Sequence, residues 1–409
     1  MRLEFIDRCR GISIIFMIIA HTSLYWLRPA DKWLFGYIIM FGDFIGASAF
    51  IMLSGIAFIF SYYSEQAKLQ KYPNYTVKEA RTTLFTRSIL LLLVAILFNG
   101  IGTATVMNGP IWWAWFVLQT IAVARFALYP LIRTNNWIKL ILVAVFFSIA
   151  DPFRRYLEGQ SIHIFTIFYS VPEQNTPFPF WGFFLFGMAF GSYLNQIIQK
   201  KDLSISEQLK DARNMMISGL ILCAGSVLIW IRLHFNDVYL MPSWISRYPE
   251  PLYNFPIPML FFKGSIEWCV LCLGIQIFVL GILYRAQIKT DRRNKNKKVE
   301  EKVPKEESKK GLNMLGQHSL TVYGTHFIVF FLLRDSLSYW EFLIVFPLVF
   351  LALYSAYWAW INPGKTWITL EWFFKLITIT VLHFAKPKEQ RDEALRMKLL
   401  QFLFEKYRK

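Results

Sequence analysis

Apolar positions in this chain come in long blocks, and the polar residues gather in the short segments between them. The blocks read Gly11 to Leu27, Asp43 to Tyr63, Ser88 to Val106, Trp112 to Leu131, Trp137 to Asp151, Pro179 to Ile198, Met215 to His234, Gly264 to Tyr284, Ser319 to Leu333 and Trp340 to Ile361. A helix rises about 1.5 Å per residue, so a block near 20 residues covers the roughly 30 Å hydrocarbon layer of a bilayer. The pattern predicts an all-α polytopic membrane bundle of about ten transmembrane helices. The fifth block is short and stops at Asp151-Pro152, which leaves a tilted or partly re-entrant segment open there.

Two segments depart from the pattern. The run RRNKNKKVEEKVPKEESKK, inside Arg285 to Lys310, is too polar to fold alone and reads as a disordered cytoplasmic linker. After Ile361, the stretch NPGKTWITLEWFFKLITITVLHFAKP is apolar but carries Glu371 and Lys375 at the helical spacing of an ion pair, ahead of a basic tail. An interfacial amphipathic helix fits it better than a span, because spanning would carry the basic tail outside. The chain therefore divides into a bundle at 1–285, a charged linker at 286–312, two last transmembrane helices at 313–362, and an interfacial helix with a basic tail at 363–409.

Composition agrees with a membrane protein. Of 409 residues, 55% are hydrophobic and 17% charged, and the mean hydropathy is +0.38, whereas soluble domains carry roughly 25% charged residues. The net charge of +17 does not point to nucleic acid, since Lys and Arg lie in the loops and on no soluble face. They act as topology signals and put both termini, with the loops around Lys68 to Arg87 and Lys200 to Arg213, in the cytoplasm. Met1 to Arg10 resembles the start of a secretory signal, yet Asp7 interrupts it and no small-residue cleavage site follows, so the first helix is expected to be retained. Cys9, Cys223, Cys269 and Cys272 fall in or beside apolar blocks and read as packing residues, with no disulfide framework or zinc site.

Ionisable groups inside spans are costly and usually face the bundle interior, so each is a functional candidate. Asp7, Arg10 and His21 are three and eleven residues apart. At 100° per residue they fall within about 60° of one another, on one helix face. Eleven residues rise about 16 Å, so Arg10 belongs at the cytoplasmic surface and His21 near mid-bilayer. Histidine accepts and returns protons near neutral pH, and an arginine holds a phosphate well. The plain alternative is a His bonded to a neighbouring helix. In the ninth block Ser319, Tyr323 and His326 follow at steps of four and three, which sets His326 at a depth comparable to His21.

Other groups read less sharply. Asp43, Ser54 and Ser61 share a face of the second block with Ala47 and Ala57, as a pocket wall or as close packing. Trp112, Trp115 and Gln119 share a face of the fourth block, where tryptophans commonly anchor the interface. Arg125 lies about 120° from Gln119 on that helix and either binds an anion elsewhere or snorkels inward. His318 and His383 near the interfaces, and His163 and His234 toward outer loops, read as solvated structural groups. Gly187 and Gly191 fit a close helix crossing.

The opening EFIDRCRGISIIFMIIAH, with Arg10, ten residues and then His21, is similar to the first helix of the membrane acyltransferase superfamily, and FIGASAFIMLSGIAFIFSY resembles its second. The branch most like this chain is typified by the catalytic domain of heparan-alpha-glucosaminide N-acetyltransferase. WWAWFVLQTIAV resembles that branch's fourth segment and PFPFWGFFLFGMAFG its sixth, while LGQHSLTVYGTHF and TLEWFFKLIT resemble C-terminal parts of related prokaryotic membrane proteins. The resemblance implies transfer of an acyl group, usually acetyl from cytoplasmic acetyl-CoA, to a sugar hydroxyl or amine on the far side of the membrane. Animal members carry their proposed active histidine in the loop after the first helix, but Ser23 to Gly42 contains none here. His21 takes that role under the resemblance, with His326 or Tyr323 completing the catalytic site.

A thioester needs a base and oxyanion donors rather than a metal, and a neutral histidine can act as that base or carry the acyl group. Under the same resemblance Arg10, Asp7, Arg8 and Arg87, with Trp115, Gln119 and Ser54, are assigned to acetyl-CoA. The partners implied are acyl-CoA, a carbohydrate or lipid-linked sugar acceptor, and the surrounding lipid. A transporter or flippase of a lipid-linked or acylated glycan is the alternative reading, as is a scaffold. The first would be favoured by broken helices in an inverted repeat, and no repeat is evident.

Overall fold

The computed structural model describes residues 3–106, 112–113, 115–158, 175–199, 204–234, 238–239, 257–261, 263–300, 311–329, 333–361 and 369–385. These form helices α1 Glu4–Trp26, α2 Trp33–Gly42, α3 Ala47–Lys71, α4 Val77–Val106, α5 Val117–Ala127, α6 Asn136–Glu158, α7 Pro177–Gln199, α8 Ile205–His234, α9 Ile266–Glu300, α10 Leu312–Gln317, α11 Ser319–Val329, α12 Tyr339–Ile361 and α13 Leu370–Ala385. Extended pairing among the described residues is confined to a two-residue antiparallel ladder, Val238–Tyr239 with Ile257–Pro258, and a parallel bridge between Leu27 and Leu337. The protein is an all-α polytopic membrane protein. Each of the ten apolar blocks contains a helix, and seven segments among the described residues are long and apolar enough to cross a bilayer.

Some helices begin at a side-chain cap that the sequence offers. The backbone N–H of Thr76 donates to Glu79 at 2.7 Å and that of Glu79 donates to the Thr76 hydroxyl at 3.2 Å. The same reciprocal pair joins Ser204 to Glu207 and Ser338 to Glu341. Each Ser/Thr-x-x-Glu satisfies amide donors that the first helical turn leaves without partners. Two of these caps set α4 and α8 starting about ten residues before their apolar blocks, so polar residues lengthen the helices.

Several boundaries differ from the apolar blocks. α6 continues through Pro152 to Glu158, since one missing amide donor costs a long helix a bond and a kink, not its identity. The fourth block gives only the eleven residues of α5, followed by a 3₁₀ turn at Tyr129–Arg133 around Pro130. α9 extends to Glu300, into the basic run; residues 301–310 lie outside the described set. α2 was not expected: its ten apolar residues are too few to span and follow the loop at Pro29–Asp31. α13 has 16 residues, about 24 Å of helix against a hydrocarbon layer of roughly 30 Å.

α3 lies at the centre and α8 and α12 at the periphery. The apolar window of Trp33–Lys71 is 67% buried, against 11% for those of Ile205–Leu233 and Tyr339–Trp360. Exposed Leu220, Ile221, Leu228, Ile344, Leu348 and Leu351 form the lipid-facing surface of the two outer helices. α3 and α7 cross closely, because a methyl on Gly55 would strike the backbone of Phe184 and one on Gly187 the backbone of Met52. The expected crossing at Gly187 and Gly191 is thus made against α3. α8 and α9 approach in the same way, a Cβ on Gly219 standing 2.6 Å from the Gly274 carbonyl oxygen. All four cysteines are free thiols.

Candidate functional site

α1 and α11 bear the two inner histidines, and the chain ties them together at both ends. At one end α10 lies against α1, with no room for a Cβ at Gly11 beside the Leu312 carbonyl or at Gly316 beside the Asp7 carbonyl. Arg8 Nε donates to Asn313 at 3.2 Å across the same contact. At the other end the chain leaving α1 pairs with the turn before α12. The N–H of Arg28 donates to Leu337 O at 2.8 Å, that of Leu337 to Trp26 O at 2.9 Å and that of Asp335 to Tyr25 O at 2.8 Å. Lys32 and Asp335 close an ion pair at 2.8 Å. Trp26, Leu27, Phe35, Leu337 and Phe342 pack beneath these bonds as a small apolar cluster.

Between the two ties, His21 Nδ1 lies 2.9 Å from His326 Nε2, with the rings stacked at 5.2 Å and 14°. The other nitrogen of His326, Nδ1, is hydrogen-bonded to the carbonyl oxygen of Tyr323. A carbonyl only accepts, so Nδ1 of His326 carries the proton, and in the neutral ring Nε2 is then an acceptor. His21 must therefore donate from Nδ1, which leaves the basic lone pair on its Nε2. One backbone-directed bond and one bond between the rings thus set the tautomer of a half-buried imidazole. His326 itself is 1% exposed, and Tyr323 joins the site through its carbonyl and through a ring 5.1 Å from that of His326.

His21 is nearer the far end of its helix than its apolar block implies. α1 runs from Glu4 to Trp26, placing His21 about 8 Å from the Trp26 end and about 26 Å from Glu4. His326 occupies the last turn of α11, so the pair sits toward one end of the bundle. Beside it Lys263 pairs with Asp43 at 3.3 Å and stacks on Phe180 at 5.2 Å, close enough for its charge to act on His21. On the α4 side a Cβ on Gly324 of α11 would meet the ring of Phe98 at 2.5 Å. The next residue, Asn99, donates to Gln119 at 2.7 Å. Gln119 is fully buried and Trp115 nearly so, its ring 6.5 Å from that of Trp181. Trp115 and Gln119 of the face predicted from sequence are therefore interior, while Trp112 is 52% exposed.

The remaining predicted residues separate from the pair. Arg10 Nη1 lies 3.5 Å from Asp7 and Nη2 donates to the Leu53 carbonyl at 3.2 Å, at the other end of α1. Arg8 pairs with Glu4 at 3.1 Å. Ser54 donates back to Phe50 O at 2.8 Å within α3. Arg87 is near enough for its charge to act on Arg125, whose guanidinium carbon lies over the Phe58 ring at 5.1 Å. The structure thus joins His21, His326 and Tyr323 in one cluster and sets Arg10, Arg8 and Asp7 about 16 to 21 Å away along α1.

Sequence reasoning missed Glu371. Its carboxylate accepts from the N–H groups of Leu320 at 2.8 Å and Thr321 at 3.1 Å and from the Thr321 hydroxyl at 2.5 Å. The Thr321 hydroxyl in turn accepts from Leu370 N at 2.9 Å. The first turns of α11 and α13 therefore cap each other. The i,i+4 spacing to Lys375 pointed to a local ion pair, and nothing local announces a partner 50 residues away. Thr325, next to His326, is hydrogen-bonded to the Tyr357 hydroxyl and braces the same turn.

No curated protein and no solved structure matches the chain. A family comparison does. Residues 2–234, more than half of the chain, match the family described as "Heparan-alpha-glucosaminide N-acetyltransferase, catalytic", and the span includes α1 with His21, the Asn99–Gln119 pair and the Gly55–Gly187 crossing. The chain belongs to this family of membrane acetyltransferases.

Proposed function

We propose that this protein moves an acetyl group from cytoplasmic acetyl-CoA to a hydroxyl or amine of a sugar at the extracytoplasmic face, with His21 as the base. The observation that carries the reading is the His21–His326 pair, in which a carbonyl anchor leaves His21 Nε2 unprotonated. The acceptor O–H or N–H gives its proton to that nitrogen while its heavy atom attacks the thioester carbon. The C–S bond breaks, and the departing thiolate takes the proton back from His21. His326 shares the positive charge on the imidazolium through the Nδ1 to Nε2 bond, without itself touching substrate. Transfer through an acyl-imidazole starts from the same lone pair.

The two ends of α1 serve two substrates in this reading. Arg10, with Arg8, holds donor phosphates at the cytoplasmic mouth, where a guanidinium makes paired, charge-assisted bonds. The buried Trp115 and Gln119, with Asn99, supply aromatic faces and amides to the bound acetyl-CoA. Membranes holding the wild-type protein should transfer label from acetyl-CoA to membrane glycans, and His21→Ala membranes with equal protein should not. Undiminished transfer by His21→Ala would remove His21 from the chemistry.

A further inference from the structure

The inner part of the bundle holds a second charged feature that the histidine chemistry does not use. α4 and α5 pack through Phe85 against Phe126 at 5.6 Å and against Tyr129 at 4.9 Å. Arg87 and Arg125 flank this aromatic contact, and Arg87 is the charged neighbour whose field acts on Arg125. The guanidinium carbon of Arg125 lies over the ring of Phe58 on α3 at 5.1 Å from its centroid. Its Nε is buried with no hydrogen-bond partner. Among the described residues no carboxylate pairs with either guanidinium.

Both arginines are partly buried, so two like charges there repel and each gives up part of its hydration. Arg125 lies in the last turn of α5, and the helix dipole favours one cation at that position without accounting for a second. Arg133 marks a way in: its Nε donates to the Tyr62 hydroxyl at 3.0 Å at the exposed end, one helical turn beyond Phe58 on α3. Positive groups therefore run from the surface to a buried donor that lacks an acceptor. We infer that Arg87 and Arg125, backed by Phe58, form an anion site that takes a phosphate group. Guanidinium geometry matches the paired oxygens of a phosphate, and one bound phosphate offsets both charges and fills the Nε position. The phosphate belongs either to CoA, which rests on the transferase reading above, or to an anionic lipid headgroup, which does not.

The experiment compares the wild type with Arg125→Gln, Arg87→Gln, the double variant and Arg125→Lys, all as full-length protein. Titration with CoA and 3′-dephospho-CoA reads the first source. Native mass spectrometry of protein taken from nanodiscs containing phosphatidylglycerol reads the second. A size-exclusion profile for each variant excludes misfolding, and Arg125→Lys keeps the charge while losing the fork. If CoA is the ligand, Arg125→Gln weakens CoA binding at least about tenfold and leaves lipid retention unchanged. If a lipid is the ligand, retained phosphatidylglycerol falls and CoA affinity holds. CoA affinity and lipid retention that both stay at wild-type levels in the folded double variant would overturn the site, and acetyl transfer by that variant would leave the transferase reading standing. Arginine-dependent lipid retention by a wild type that binds no CoA would keep the site and remove the donor.

Discussion

A lone imidazole inside a bilayer is equally suited to packing and to proton transfer; its second nitrogen separates the two roles. In this chain that nitrogen is committed to His326, which is committed to a backbone carbonyl, so the tautomer is held before substrate arrives. Replacing His21 by Ala should lower the transfer rate about 10²- to 10⁴-fold. The bundle should survive, because interhelical polar bonds contribute only about 0.6 to 2 kcal/mol each. His326→Ala should lower kcat less than His21→Ala, since the base remains while its orientation is lost; a dead His326→Ala beside an active His21→Ala would reverse the roles. Arg10→Ala should chiefly raise the KM for acetyl-CoA, because it removes donor binding rather than proton transfer. Both histidines and Arg10 were legible from helical spacing and depth. That the histidines touch, and that Tyr323 acts through its carbonyl, depends on a contact 305 residues apart in the chain, which no local pattern encodes.

Elements carry the site through their ends. α11 keeps His326 in register because Glu371 caps its first turn and Thr325 braces its last. Glu371→Ala leaves the amides of Leu320 and Thr321 without their acceptor, and losing such a cap costs about 1 to 2 kcal/mol. Its expected signature is a lower Tm together with a fall in kcat at constant KM, and Glu371→Gln, which keeps an accepting oxygen, should recover most of both. A KM change with kcat intact would make Glu371 a substrate group. Gly187→Leu should separate α3 from α7 and lower Tm in detergent, overpacking of this kind costing about 1 to 3 kcal/mol; an unchanged Tm would show that the crossing is loose. Ser/Thr-x-x-Glu boxes and the small residues of α7 made these features readable in the sequence. α2 escaped because ten apolar residues carry no spanning signal, and Glu371 because its obvious partner was the wrong one.

At the scale of the molecule, hydropathy identifies membrane helices and is silent about which of them lie inside. The windows of Trp33–Lys71 and Ile205–Leu233 have mean hydropathies of 2.1 and 2.0, yet 67% of the first is buried and only 11% of the second. Lipid and protein core are equally apolar, so the sequence distinguishes them only through small and polar residues such as Gly55 and Ser48 on α3. The arrangement that results sets Arg10 and His21 about 16 Å apart on one helix, proposed here as a phosphate-binding end and a proton-accepting end. The central claim is that these two ends open to opposite sides of the membrane and that acetyl passes between them. Sealed vesicles of known orientation, supplied with labelled acetyl-CoA outside only, test it most directly. Inside-out vesicles should acetylate an enclosed acceptor in a His21-dependent way while right-side-out vesicles should not, and equal labelling in the two orientations would contradict transfer across the bilayer.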